Sequence, residues 1–140
     1  MSHKNHFKST ISAVLFVVLI FGLTVNSFAA NNNTAVPLWN GILSTKLGMS
    51  FDAGEGNATG TASKKSTATM IEGTLYLYEL NGSEWVYIDE WYNSKTRGTL
   101  AVSGDFACES GVTYKAVFVV TAYINGVPET DTLEHIEVCP

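Results

Sequence analysis

The twelve residues Thr113–Ile124, TYKAVFVVTAYI, decide how the rest of the chain is read. Their even positions, Tyr114, Ala116, Phe118, Val120, Ala122 and Ile124, are all apolar, whereas the odd positions include Lys115 and Thr121. Successive side chains of a strand point to opposite faces, so this alternation predicts a β-strand with an even core face and an odd outer face. The richness in Val, Tyr and Thr agrees.

Asn125-Gly126 follows directly, a strong hairpin signal because both residues tolerate positive φ. The chain then returns over Glu129–Val138. A strict two-residue loop would set His135 and Glu137 opposite the core positions Ala116 and Tyr114. A three-residue loop, Asn125–Val127 with a bulge, would set Ile136 and Val138 there instead. The second register buries aliphatic groups rather than charge and is the expected one. It leaves His135 on the outer face as a solvated side chain.

The open end of that hairpin brings Thr113 beside Cys139, a few residues from Cys108. These are the only cysteines in the chain. In a small exported domain such a pair reads as one disulfide clamping the last strand to the preceding loop. A metal site would need two further soft ligands, and the only histidine after residue 29 is His135. Tyr114, three residues past Gly111, has the placement of a tyrosine corner, in which the hydroxyl bonds back to upstream backbone. The alternative is an ordinary tyrosine at the core edge.

Working outward, the same alternation, broken by Gly, Asn and Ser, marks seven strands: Leu43–Phe51, Asn57–Ser63, Thr69–Leu80, Trp85–Tyr92, Thr99–Phe106, Thr113–Ile124 and Glu129–Val138. No helical stripe of any length occurs. Short strands with regular turn signals predict an all-β protein, a single antiparallel β-sandwich of immunoglobulin or fibronectin type III kind, over residues 42–140.

Ahead of it, residues 30–41 read as a flexible lead-in and residues 1–29 as a cleaved secretory signal peptide. The signal reading rests on Lys4 and Lys8, the 15-residue apolar run Ile11–Val25, and the small residues Ser27 and Ala29 before the cut. The run falls short of the ~20 residues that span a bilayer, so export and release are expected, with no membrane attachment after cleavage.

The mature chain, Ala30–Pro140, has 111 residues, and its six basic residues against thirteen acids leave a formal charge of −7. Such a surface repels phosphate backbones, which excludes nucleic acid as a partner. No cofactor and no metal are expected: the loop FDAGEG, with Asp52 and Glu55, lacks calcium-loop spacing. Neither G-x-S-x-G nor H-E-x-x-H occurs, and no pair of acids stands out for glycoside chemistry, so no catalytic residue is assigned. The triplets beginning at Asn32, Asn57 and Asn81 fit the N-glycosylation pattern, which matters only in a eukaryotic host.

One cluster suggests binding. In the hairpin Thr69–Leu80/Trp85–Tyr92, an odd-sum register places Leu75, Leu77, Val86 and Ile88 on one face. Tyr76, Tyr78, Trp85, Tyr87 and Trp91 fall on the other. Five aromatic rings on an outer sheet face would stack on sugars or bury against a protein. The plainer readings are cross-strand packing, or a bulge that turns Trp91 inward.

The stretches Gly73–Trp91, GTLYLYELNGSEWVYIDEW, and Ser110–Thr130, SGVTYKAVFVVTAYINGVPET, resemble a family of small secreted β-sandwich proteins of clostridia and their relatives, of unknown function. The likeness lies in an L-x-L hairpin closing on W-x-x-I-x-x-W, and in a G-x-x-Y strand running to a Gly turn and Glu-Thr. It covers 40 of the 111 mature residues and implies a sandwich and a Gram-positive source. It carries over no catalytic residue, and the cysteine pair departs from its pattern. Two functions are expected to compete: a secreted binding module for a glycan or surface protein, and a secreted effector such as an antimicrobial polypeptide or inhibitor.

Overall fold

In the computed structural model, which describes residues Trp39–Pro140, the strand TYKAVFVVTAYI lies inside the larger of two sheets. All seven expected strands are present: β1 (Ile42–Asp52), β2 (Glu55–Lys64), β3 (Met70–Asn81), β4 (Glu84–Lys95), β5 (Thr99–Ala107), β6 (Thr113–Ile124) and β7 (Val127–Val138). The signal peptide and most of the lead-in, residues 1–38, fall outside the described residues.

Every pairing is antiparallel. One sheet has the order β1-β2-β5 and the other β4-β3-β6-β7. Three strands against four in this order is the immunoglobulin-like sandwich in its fibronectin type III arrangement. The even face of β6 is its core face, as the alternation requires: Tyr114, Ala116, Phe118, Val120 and Ala122 are buried.

Phe118 sits at the centre. A Cβ at Gly60 of β2 would stand 2.6 Å from its ring, and one at Gly73 of β3 would stand 2.7 Å away. The missing side chains are what let a phenyl ring fill the space between sheets at native density. Full burial of such a ring is worth about 2–3 kcal/mol. Ile71, Leu75, Leu100, Val102 and Val120 pack around it.

The Tyr114 hydroxyl accepts a hydrogen bond from the Glu109 N–H at 3.1 Å. That is tyrosine-corner geometry, on a ring that is itself 2% exposed.

The β6–β7 register corrects the sequence expectation. Asn125 and Gly126 take φ of 51° and 82° and close a strict two-residue turn, with Ile124 opposite Val127. Ala116 therefore faces His135, and Tyr114 faces Glu137. Charge is not buried as a result, because β7 is an edge strand whose inward side is only half covered. Its polar groups find partners along the rim. The Glu129 carboxylate accepts from the N–H groups of Asn40, Gly41 and Ile42 at 2.8, 2.9 and 3.1 Å. Asp131 accepts from Thr45 Oγ1 at 2.9 Å. His135 is half-buried on that side, paired with Glu137 at 2.9 Å, rather than solvated on the outer face. Ile136 and Val138 point outward and are exposed.

Candidate functional site

The outer face of the four-stranded sheet is built in rows. One row runs Tyr87, Tyr78, Lys115, Ile136 across β4, β3, β6 and β7. The next runs Glu90, Tyr76, Val117, Glu134, and the third Tyr92, Thr74, Val119, Thr132. Trp85 stands opposite Leu80 beyond the first row.

The rings are organised. Tyr78 and Tyr87 meet edge to face with centroids 6.0 Å apart. Lys115 Nζ lies 4.6 Å from the centre of the Trp85 ring and 5.1 Å from that of Tyr78. Such contacts are each worth ~0.5–1 kcal/mol on an exposed face. At the far end Glu72 ties three strands together, accepting from the Tyr92 hydroxyl at 3.0 Å and the Tyr123 hydroxyl at 2.6 Å. The bond to Glu72, followed by burial, raises the pKa of Tyr123.

Four of the five aromatics expected on this face are there: Tyr76, Tyr78, Trp85 and Tyr87. Trp91 is not, and the reason is a bulge. From the hairpin tip to Tyr78/Tyr87 the register is the odd-sum one, but Leu77 then pairs with Asp89, leaving Ile88 as an extra residue. Below the bulge the faces exchange. Trp91 pairs with buried Leu75 and packs into the core against Gly104, while Tyr92 turns outward and is 62% exposed.

Sequence reasoning missed Tyr92 because the run Trp85–Trp91 carries no Gly or Asn to mark the bulge. It missed the Lys115 contacts because they join strands thirty residues apart, although Lys115 was already the one charge on that face of β6.

Cys108 and Cys139 are both buried, in a cluster with Leu77 and Tyr114. Their side chains share that cluster without being joined. Burial and the neighbouring Cys139 thiol push Cys108 up to about 11. The backbone holds the pair in place: Cys139 N–H donates to the Val112 carbonyl at 2.9 Å, and Gly111 N–H to the Cys139 carbonyl at 2.8 Å. Among the described residues, no group of three or more His, Cys, Asp and Glu side chains is placed to hold a metal ion.

No protein-family profile matches the chain, and no curated protein matches its sequence.

Proposed function

We propose that this chain is an exported, non-enzymatic binding module that meets a glycan or a protein surface on the outer face of its four-stranded sheet. The observation that carries the reading is the row Tyr87–Tyr78–Lys115–Ile136 with Trp85 beside it, where rings, an aliphatic side chain and one cation form a shallow open surface. Open aromatic surfaces bind by stacking and desolvation, not by enclosing a substrate.

Export is supported by the charged, apolar and small-residue segments of Met1–Ala29. It also suits the cysteines, which an oxidising compartment would join as a Cys108–Cys139 disulfide. The resemblance to secreted clostridial sandwich proteins points to a Gram-positive source. The test is a glycan-array and pull-down screen with the protein and with Tyr76→Ala and Tyr87→Ala variants. Specific capture lost in the variants, at unchanged thermal stability, supports the reading. Capture indifferent to both rings overturns it.

A further inference from the structure

Past the aromatic face, the upper half of β4 is open in a second direction. β4 is an edge strand, paired only with β3. Its other half is engaged across the sandwich, where Asn93 Nδ2 donates to the Ala101 carbonyl at 2.8 Å and Trp91 packs on Gly104. Among the described residues, the half Glu84–Asp89 has no such cover. There the run Trp85-Val86-Tyr87-Ile88 is apolar without interruption. Val86 falls on the inward-facing side yet is 47% exposed, and Ile88 in the bulge is 39% exposed.

The end strand β7 is guarded by the means natural sheets use against edge pairing. It has Pro128 as its second residue and turns Glu129 and Asp131 inward onto β1.

We propose that the free edge of β4 at Glu84–Asp89 docks an extended partner peptide by strand addition, one with basic side chains on one face and aliphatic side chains on the other. Strand addition takes affinity from main-chain hydrogen bonds and specificity from alternate side chains. On the outer face an added strand runs beside Trp85, Tyr87 and Glu90, and Lys115 already lies on Trp85 and Tyr78 as a basic side chain of the partner would. On the inner side it meets Val86. Glu84, Asp89 and Glu90 surround the run, so opposite charge attracts a basic peptide, and a second copy of β4 would bring like charges together. Burial raises the pKa of the Tyr87 phenol, and the negative field of Glu90 and Asp89 adds to it.

This rests on the binding-module reading and fixes the partner as a protein segment. The test titrates isotope-labelled protein with an eight-residue peptide of alternating lysine and valine. Parallel titrations use the same peptide N-methylated at every amide, and one with glutamate in place of lysine. The expected result is amide shift changes centred on Glu84–Asp89, and at least about tenfold weaker binding for both altered peptides and for the Val86→Lys variant. Equal binding of the N-methylated peptide, or no shift at Glu84–Asp89, overturns the proposal. If a glycan or another protein surface binds through Tyr76 while the lysine–valine peptide is ignored, the binding-module reading stands and the edge proposal falls.

Discussion

Trp91 of β4 packs against Gly104 of β5 so closely that a methyl group on the glycine would fall inside the indole. The contact joins the two sheets at a corner of the sandwich. Gly104→Ala should therefore destabilise the domain by about 1–3 kcal/mol through overpacking, seen as a lower midpoint in denaturant melts. An unchanged midpoint would show that the tryptophan can move aside at no cost.

The two tryptophans of β4 should behave oppositely. Trp91→Ala opens a cavity and should cost about 2–4 kcal/mol of stability. Trp85→Ala removes a ring from the outer face and should cost under about 1 kcal/mol while abolishing capture by the aromatic surface. Paired thermal melts and binding assays separate the two roles.

Tyr114→Phe keeps the ring and deletes the acceptor for the Glu109 N–H. The loss should be about 1–2 kcal/mol, because a partly buried donor is left without its partner. Amide exchange at Glu109 should rise in step.

Glu129 sets an acid limit. Burial alone would raise its pKa, but the N–H groups of Gly41, Asn40 and Ile42, with Lys65 nearby, outweigh that and hold it below the usual 4.5. A carboxyl lowered in the folded state adds stability that is fully present above its unfolded pKa and is lost as pH falls through the folded value. The wild type should thus lose stability as pH drops below 4.5, and Glu129→Gln should be weaker at neutral pH with a flatter acid limb. Parallel curves for the two proteins would refute the assignment.

For the cysteines, non-reduced mass spectrometry of exported protein should show a species two hydrogens lighter than the reduced form. Closing a loop of about 30 residues is worth roughly 3–4 kcal/mol in the chain-entropy treatment. Reduction should lower the melting temperature and leave the sheet signal intact, since β6 packs without the bond. Two freely alkylated thiols would rule the bond out.

Where local chemistry and face alternation agree, the fold was legible in the chain. β6 shows this, and of the two readings that the Gly111–Tyr114 spacing left open, the hydroxyl bond to upstream backbone is the one formed, at Glu109. Where they conflict, local chemistry prevailed. Asn125-Gly126 imposed its two-residue turn although that set His135 and Glu137 against core positions. The cost was absorbed by exposure at a sheet edge and by the partners of Glu129, which lie some ninety residues away and leave no local trace. The aromatic face was readable down to Tyr87; below it the sequence left open both an outward Trp91 and a bulge turning it inward, the arrangement formed, because alternation is silent about where one strand carries an extra residue.

That extra residue gives Ile88 an unusual standing. Forcing it into the ladder would impose the odd-sum register along all of β4, whereas deleting it would close the bulge and leave Trp91 opposite Leu75. In the first case Trp91 would turn to solvent and Tyr92 inward, exchanging core and surface below Tyr87 with no change of composition, whereas in the second both rings keep their faces. The bulge therefore lets β4 carry one residue more than its partner while Trp91 stays in the core, and the lower half of this face depends on the extra residue standing outside the ladder.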